Sequence, residues 1–258
     1  MDKIKKVDYD LLKEIVAKHK FGIELILKDF YATAILYMLK DVKGIYFKGG
    51  TALQKIFLDY SRLSEDVDFT VKGDLSKIIT EITEILEDSK FFDKITKDKD
   101  VDGFTRLVAH YTGNPNGGVV FIDLNKRAIL LLKTETHKIK HFYKDNIPEF
   151  SVNTLAKDEM IAEKVAAAIG RNKPRDHFDI YKILEAKIPI NLELVKKKCK
   201  QSGVEFNIIK MFNNANKLKT RWDQDLIPLL SEEASFQDVM KTLAKHFKLK
   251  EEKGKLKK

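Results

Sequence analysis

The chain has 258 residues, 43% of them hydrophobic and 34% charged, with a formal net charge of +9. That is the composition of a globular protein with enough chain to bury one large core or two modest ones. No apolar run approaches the roughly 18 to 20 residues that cross a bilayer, and MDKIKKVDYD lacks a signal-peptide hydrophobic stretch, so a cytoplasmic location without membrane contact is expected.

Cys199 is the sole cysteine, which rules out an intramolecular disulfide and a thiolate zinc cluster. The positive charge is concentrated late: from Lys241 onward eight lysines face only Glu251 and Glu252. The tail 251–258, EEKGKLKK, is expected to be disordered, either as a solvated end or as a loose tether to a phosphate backbone.

Between Tyr9 and Lys40 apolar residues recur at helical spacing, which predicts two helices. Gly44 interrupts them, Ile45–Phe47 reads as a short strand, and Gly49-Gly50 turns the chain into a helix expected to run through Asp59 with Thr51 as its cap. Asp66–Val71 alternates as a strand, and Leu75–Leu86 is amphipathic. Residues 90–102 are polar, a loop or ragged edge. Phe104–Thr112 and Val119–Leu124 are separated by Gly113, Asn114, Pro115, Asn116, Gly117 and Gly118, and the pattern predicts a β-hairpin. The stretches 129–133 and 139–143 are ambiguous. Beyond residue 150 only helices are expected, over 157–169, 175–186, 192–200, 206–219 and 236–247. The fold class is therefore α+β: an N-terminal mixed sheet with flanking helices, then an all-helical half.

The chemistry concentrates between Tyr46 and Val71. Asp66 and Asp68 lie two apart on a strand, so both carboxylates face one side. Two adjacent carboxylates repel unless a cation or a proton neutralises them, and Mg²⁺ takes one or two carboxylates completed by water and phosphate. Glycines at 49 and 50 let backbone approach a ligand, and a helix N-terminus favours an anion. Asp123 is the one acid in the apolar run VVFIDLN. Each feature has a plainer explanation: strand-end aspartates, a simple strand-to-helix turn. Arg62 and Ser64 either touch phosphate or shape the turn. Lys164 either snorkels to solvent or reaches into a cleft, while Asp176 and Asp179 share a helical face on which Arg171 or Arg175 would make a structural ion-pair network. His137 and His141 have no acidic or thiol companion and are expected at the surface rather than on zinc.

Taken together, KGGTAL, RLSEDVDF and EKVAAAIGRNKPRDHFDIY resemble the AbiEii/AbiGii-type nucleotidyltransferase toxins, within the DNA polymerase β-like superfamily. The resemblance implies a catalytic domain over 1–150 with its N-terminal helices, a helical domain over 151–250 closing the nucleotide cleft, and a basic tail. It implies that Lys48, Gly49, Gly50, Thr51 and Ser64 bind the triphosphate and that Asp66, Asp68 and Asp123 hold metal, with two Mg²⁺ ions. Lys164, Arg175 and Asp179 would face the nucleotide, and Lys164 and Asp176 would join Asp66, Asp68 and Asp123 in the catalytic group. The implied reaction passes a nucleoside monophosphate from an NTP to an acceptor hydroxyl, on RNA or the tRNA 3′ end, in a toxin paired with an antitoxin.

Two other readings compete. DVDFTV superficially fits a haloacid-dehalogenase-type phosphatase, but SRLSE stands where that motif wants an apolar strand. A catalytically degenerate RNA-binding or interaction module on the same scaffold would bind RNA without incorporating nucleotide; the intact aspartate pair argues against it.

Overall fold

Helix α1 (Tyr9–His19) begins where Asp8 accepts the Leu11 backbone N–H at 2.8 Å and ends where Lys20 turns left-handed. Helix α2 (Ile23–Met38) has twelve of its sixteen residues buried, the mark of an interior helix rather than an amphipathic surface one. Both helices fulfil the spacing of their apolar residues. The computed structural model describes residues 4–113, 115–213 and 215–255, and the chain divides into two compact units, the first ending at Ala156 and the second starting at Lys157.

The first unit carries a mixed seven-stranded sheet. Its strands are β1 (Ile45–Lys48), β2 (Asp66–Val71), β3 (Lys94–Val101), β4 (Phe104–Tyr111), β5 (Gly118–Asn125), β6 (Glu135–Lys138) and β7 (Ser151–Thr154), in the spatial order β3-β4-β5-β2-β1-β7-β6. Helix α3 (Gly49–Ile56) follows β1 and α4 (Leu75–Asp88) follows β2. Val67, Phe69, Ile122 and Leu124 point into the core, and α2 lies against β2 and β5. The alternate residues of β2 and β5 therefore look the other way, toward the site.

The glycine-rich cluster does close an antiparallel β4–β5 hairpin; Asn114 within it lies outside the described residues. Other expectations need correction. Residues 94–101 are not a loop but the edge strand β3, exposed along nearly its whole length; with no apolar face to reveal it, its alternating lysines and aspartates guard the open edge. The ambiguous stretches form neither strand nor helix. Four-residue strands fall instead at 135–138 and 151–154, the latter beyond the residue-150 boundary because it pairs in parallel with β1. Helix α3 starts at Gly49 and stops at Ile56, since Asp59 and Tyr60 both adopt positive φ. Thr51 is thus inside the first turn, not a cap.

The described part of the second unit contains helices and 3-10 turns only: α5 (Lys157–Arg171), α6 (Pro174–Glu185), α7 (Leu192–Gln201), α8 (Ala215–Asp225), α9 (Phe236–His246) and α10 (Leu249–Lys255). The expected helix over 206–219 is split. Asn207 caps a 3-10 turn at Ile208–Phe212, Asn213 is extended, and α8 continues to Asp225. Trp222 is buried in α8, its indole N–H donating to the Ala234 carbonyl at 2.9 Å. The tail is not disordered up to Lys255: α10 occupies it, with Lys255 paired to Glu252 at 2.6 Å, while residues 256–258 lie outside the described ones. Among the described residues no helix is long and apolar enough to cross a membrane.

Candidate active site

Gly49 follows β1 directly and has φ of +81°, a conformation that a side chain resists. A Cβ there would also collide with the Asp68 carboxylate, whose Cγ would stand 2.8 Å away. Two independent demands thus fall on one residue. At Gly50 a Cβ would meet the Arg62 guanidinium at 2.7 Å and Ser64 Oγ at 3.3 Å. Arg62 is only 2% exposed and donates to the Leu63 carbonyl, a contact that shapes the turn. The Thr51 hydroxyl donates to the Asp66 carbonyl, tying α3 to the start of β2.

Asp66 and Asp68 flank the buried Val67 and share the partly exposed face of β2. The antiparallel β1 register sets Lys48 opposite Asp68. The parallel β5 register sets Asp123 opposite Asp68, across an interstrand spacing of about 4.8 Å. One small area of the first unit therefore gathers Lys48, Gly49, Gly50, Thr51, Ser64, Asp66, Asp68 and Asp123.

Arg106, which the sequence reading passed over, completes this area. It stands opposite Asp123 in the hairpin and grips both carboxylate oxygens, Nε at 2.7 Å and Nη2 at 2.8 Å. Its hydrogen bonds to Asp123 hold the guanidinium even more firmly protonated than usual, against partial burial and with help from Asp66 and Asp98. Counting back from the predicted strand ends, Thr112 and Val119, would have set Arg106 opposite Asn125; only the observed register, Tyr111 opposite Gly118, pairs it with Asp123.

Beneath α3 lies a second group invisible to pattern reading. Lys55 is fully buried and donates to Asp29 (2.7 Å), Thr33 (2.9 Å) and the Tyr60 hydroxyl (2.8 Å). The Tyr143 hydroxyl reaches the Ile26 carbonyl at 2.7 Å and Asp29 at 3.1 Å. Burial pushes Lys55 down while Asp29 opposes it; burial, reinforced by Asp29, pushes both tyrosines well up. The network fixes α3, and with it the glycine turn, onto α2.

In the second unit the Lys164 ammonium is enclosed between Asp176 (3.0 Å) and Asp179 (2.9 Å). Arg171 adds a two-pronged contact to Asp176, at 2.7 and 2.8 Å. Burial alone would raise the Asp176 carboxyl, but Lys164 and Arg171 overcome it and hold the group well below the usual carboxylate range. The ion-pair network read as an alternative is therefore present, with Lys164 as a member. Arg175, adjacent in α6, is half-buried. Cys199 is buried, which raises its thiol, and is a poor nucleophile. His137 lies within β6, 2.7 Å from the Glu135 carboxylate, so it does have an acidic companion, though not one of a cluster of three such groups among the described residues.

Among the described residues no group of three or more His, Cys, Asp or Glu side chains stands ready to hold a metal ion. The donor chemistry of Asp66 and Asp68 nevertheless suits Mg²⁺, whose sphere is completed by water and phosphate oxygens. Asp123, the third carboxylate, is engaged by Arg106.

The family model described as "Nucleotidyl transferase AbiEii toxin, Type IV TA system" matches residues 36–244. Among solved structures, MenT4, a nucleotidyltransferase toxin from Mycobacterium tuberculosis, aligns with a TM-score of 0.63 at 18% identity, over 92% of this chain and 98% of its own. JHP933 from Helicobacter pylori aligns with a TM-score of 0.58 at 16% identity, again over 92% and 98%. At such identities the likeness is one of fold. Comparison with curated proteins gave no sequence match.

Proposed function

Because the chain belongs to the AbiEii family of nucleotidyltransferase toxins, we propose that it transfers a nucleoside monophosphate from an NTP to a hydroxyl of RNA, in particular tRNA, releasing pyrophosphate. The observation that carries the reading is the Asp68 carboxylate lying against Gly49, with Asp66 on the same face: an anion-gripping turn and a cation-binding pair share one spot.

In this reading Gly49, Gly50 and Thr51 offer backbone N–H groups to the triphosphate, with Lys48 and Ser64 adding charge and a hydroxyl. Asp66 and Asp68 hold Mg²⁺, which when bound offsets charge on the reacting phosphates. Asp123 takes the proton of the attacking hydroxyl at a carboxylate oxygen. The rate enhancement then comes from positioning and preorganised charge. Lys164, Asp176, Asp179 and Arg175 join the nucleotide-binding set on the family resemblance alone; the pairs of Lys164 with Asp176 and Asp179 suit a group held rigid for that purpose. An antitoxin partner and action in the cytoplasm follow from the same reading.

The test supplies total RNA and each labelled NTP in turn to the purified protein and follows label into RNA.

A further inference from the structure

Arg106 has two acids within reach, not one. Its fork is closed on Asp123, while Nη1 lies 3.9 Å from Asp98, at the register shift of β3 between Lys97 and Lys99. The guanidinium carbon lies over Phe121, 4.9 Å from the ring centroid, a cation–π contact that does not depend on which acid the guanidinium bonds. Asp123 is 14% exposed and Asp98 is 54% exposed, so one partner faces the carboxylate cluster and the other faces water. An Arg that bonds both oxygens of the third carboxylate takes one lone pair on each and offsets its charge, so a cation drawn to Asp123 competes with Arg106.

We propose that Arg106 is the resident counter-ion of Asp123, the third acid of the carboxylate cluster, and that a divalent cation entering beside Asp66 and Asp68 displaces it from Asp123 onto Asp98. This rests on the nucleotidyltransferase reading for the identity of the cluster. Arg106 is then a positioning residue: it holds Asp123 in place, neutralised, until the cation arrives. Asp98 is the receiving partner that keeps the displaced guanidinium compensated, so release of Asp123 does not strand a charge.

Titration of the full chain with Mn²⁺ alone, by calorimetry, tests the hand-over. Arg106→Gln should bind Mn²⁺ about tenfold more tightly than the wild type, the size of effect expected for losing a competing charge-assisted pair. Asp98→Asn should bind it more weakly, because the guanidinium then has nowhere else to go. In the double variant the weakening should vanish. Unchanged or weaker Mn²⁺ binding by Arg106→Gln would overturn the proposal. So would an Asp98→Asn effect that persists in full without Arg106, since that is a general field and not a hand-over, and so would failure of every variant and the wild type to bind Mn²⁺. Should Gln at 106 unsettle the sheet, Arg106→Lys, which keeps the charge but loses the two-pronged grip, takes its place in the cycle with the same expected signs, and unchanged Mn²⁺ binding by Asp98→Asn refutes the claim in either case. An intact cycle without nucleotide transfer to RNA would instead count against the proposed function.

Discussion

The carboxylate of Asp68 occupies the space that a side chain at Gly49 would need. Backbone conformation and site chemistry are thereby joined at one position, so the two glycines of the turn should differ in tolerance.

Gly49→Ala is expected to destabilise the first unit by about 1–2 kcal/mol from its left-handed backbone alone, and to abolish nucleotide transfer by pushing Asp68 aside. Gly50→Ala carries no left-handed backbone penalty and leaves Asp68 in place, though the end of the buried Arg62 side chain must shift, so it should cost less on both counts. Thermal unfolding and transfer assays on the two variants would give the ranking; equal losses would count against it.

Removing Lys55 leaves Asp29 charged and uncompensated in the core. Lys55→Met should lower stability by about 3–5 kcal/mol, and adding Asp29→Asn should recover part of that loss. Chemical denaturation of the single and double variants checks both signs. A double variant no more stable than Lys55→Met would show that packing, not charge, governs the network.

The depressed Asp176 carboxyl carries a pH signature. A carboxyl whose folded pKa lies below its unfolded value stabilises the fold fully above the unfolded value, about 3.9, and loses that contribution as pH falls through the folded value. Wild type should therefore exceed Asp176→Asn in stability near neutral pH, with the gap narrowing on acidification below about pH 4. Denaturation midpoints across pH 2–7 would reveal a constant gap if the prediction is wrong.

What could be read in advance followed from periodicity and turn chemistry. Helices α1 and α2, the β4–β5 hairpin and the shared face of Asp66 and Asp68 are local patterns, and the structure repeats them. Strand β3 escaped because an exposed edge needs no apolar alternation, and β6 and β7 because ETHK and SVNT are short and almost wholly polar, unlike the equally short but apolar β1. Lys55 and Asp29 are 26 residues apart in sequence, on two different helices, and only folding brings them together. Asp123 could be singled out as the lone acid of its strand, but its pairing with Arg106 depends on hairpin register. Lys164 offered two local explanations, and the pattern of one sequence cannot choose between a solvent-seeking lysine and one enclosed by Asp176 and Asp179.

The most direct measurement is incorporation of label into RNA from each of the NTPs, with wild type beside Asp68→Ala under the same Mg²⁺ concentration. The account predicts label covalently joined to RNA from at least one NTP, and none with Asp68→Ala. Equal incorporation by the two proteins, or none by folded wild type from any NTP, would contradict it.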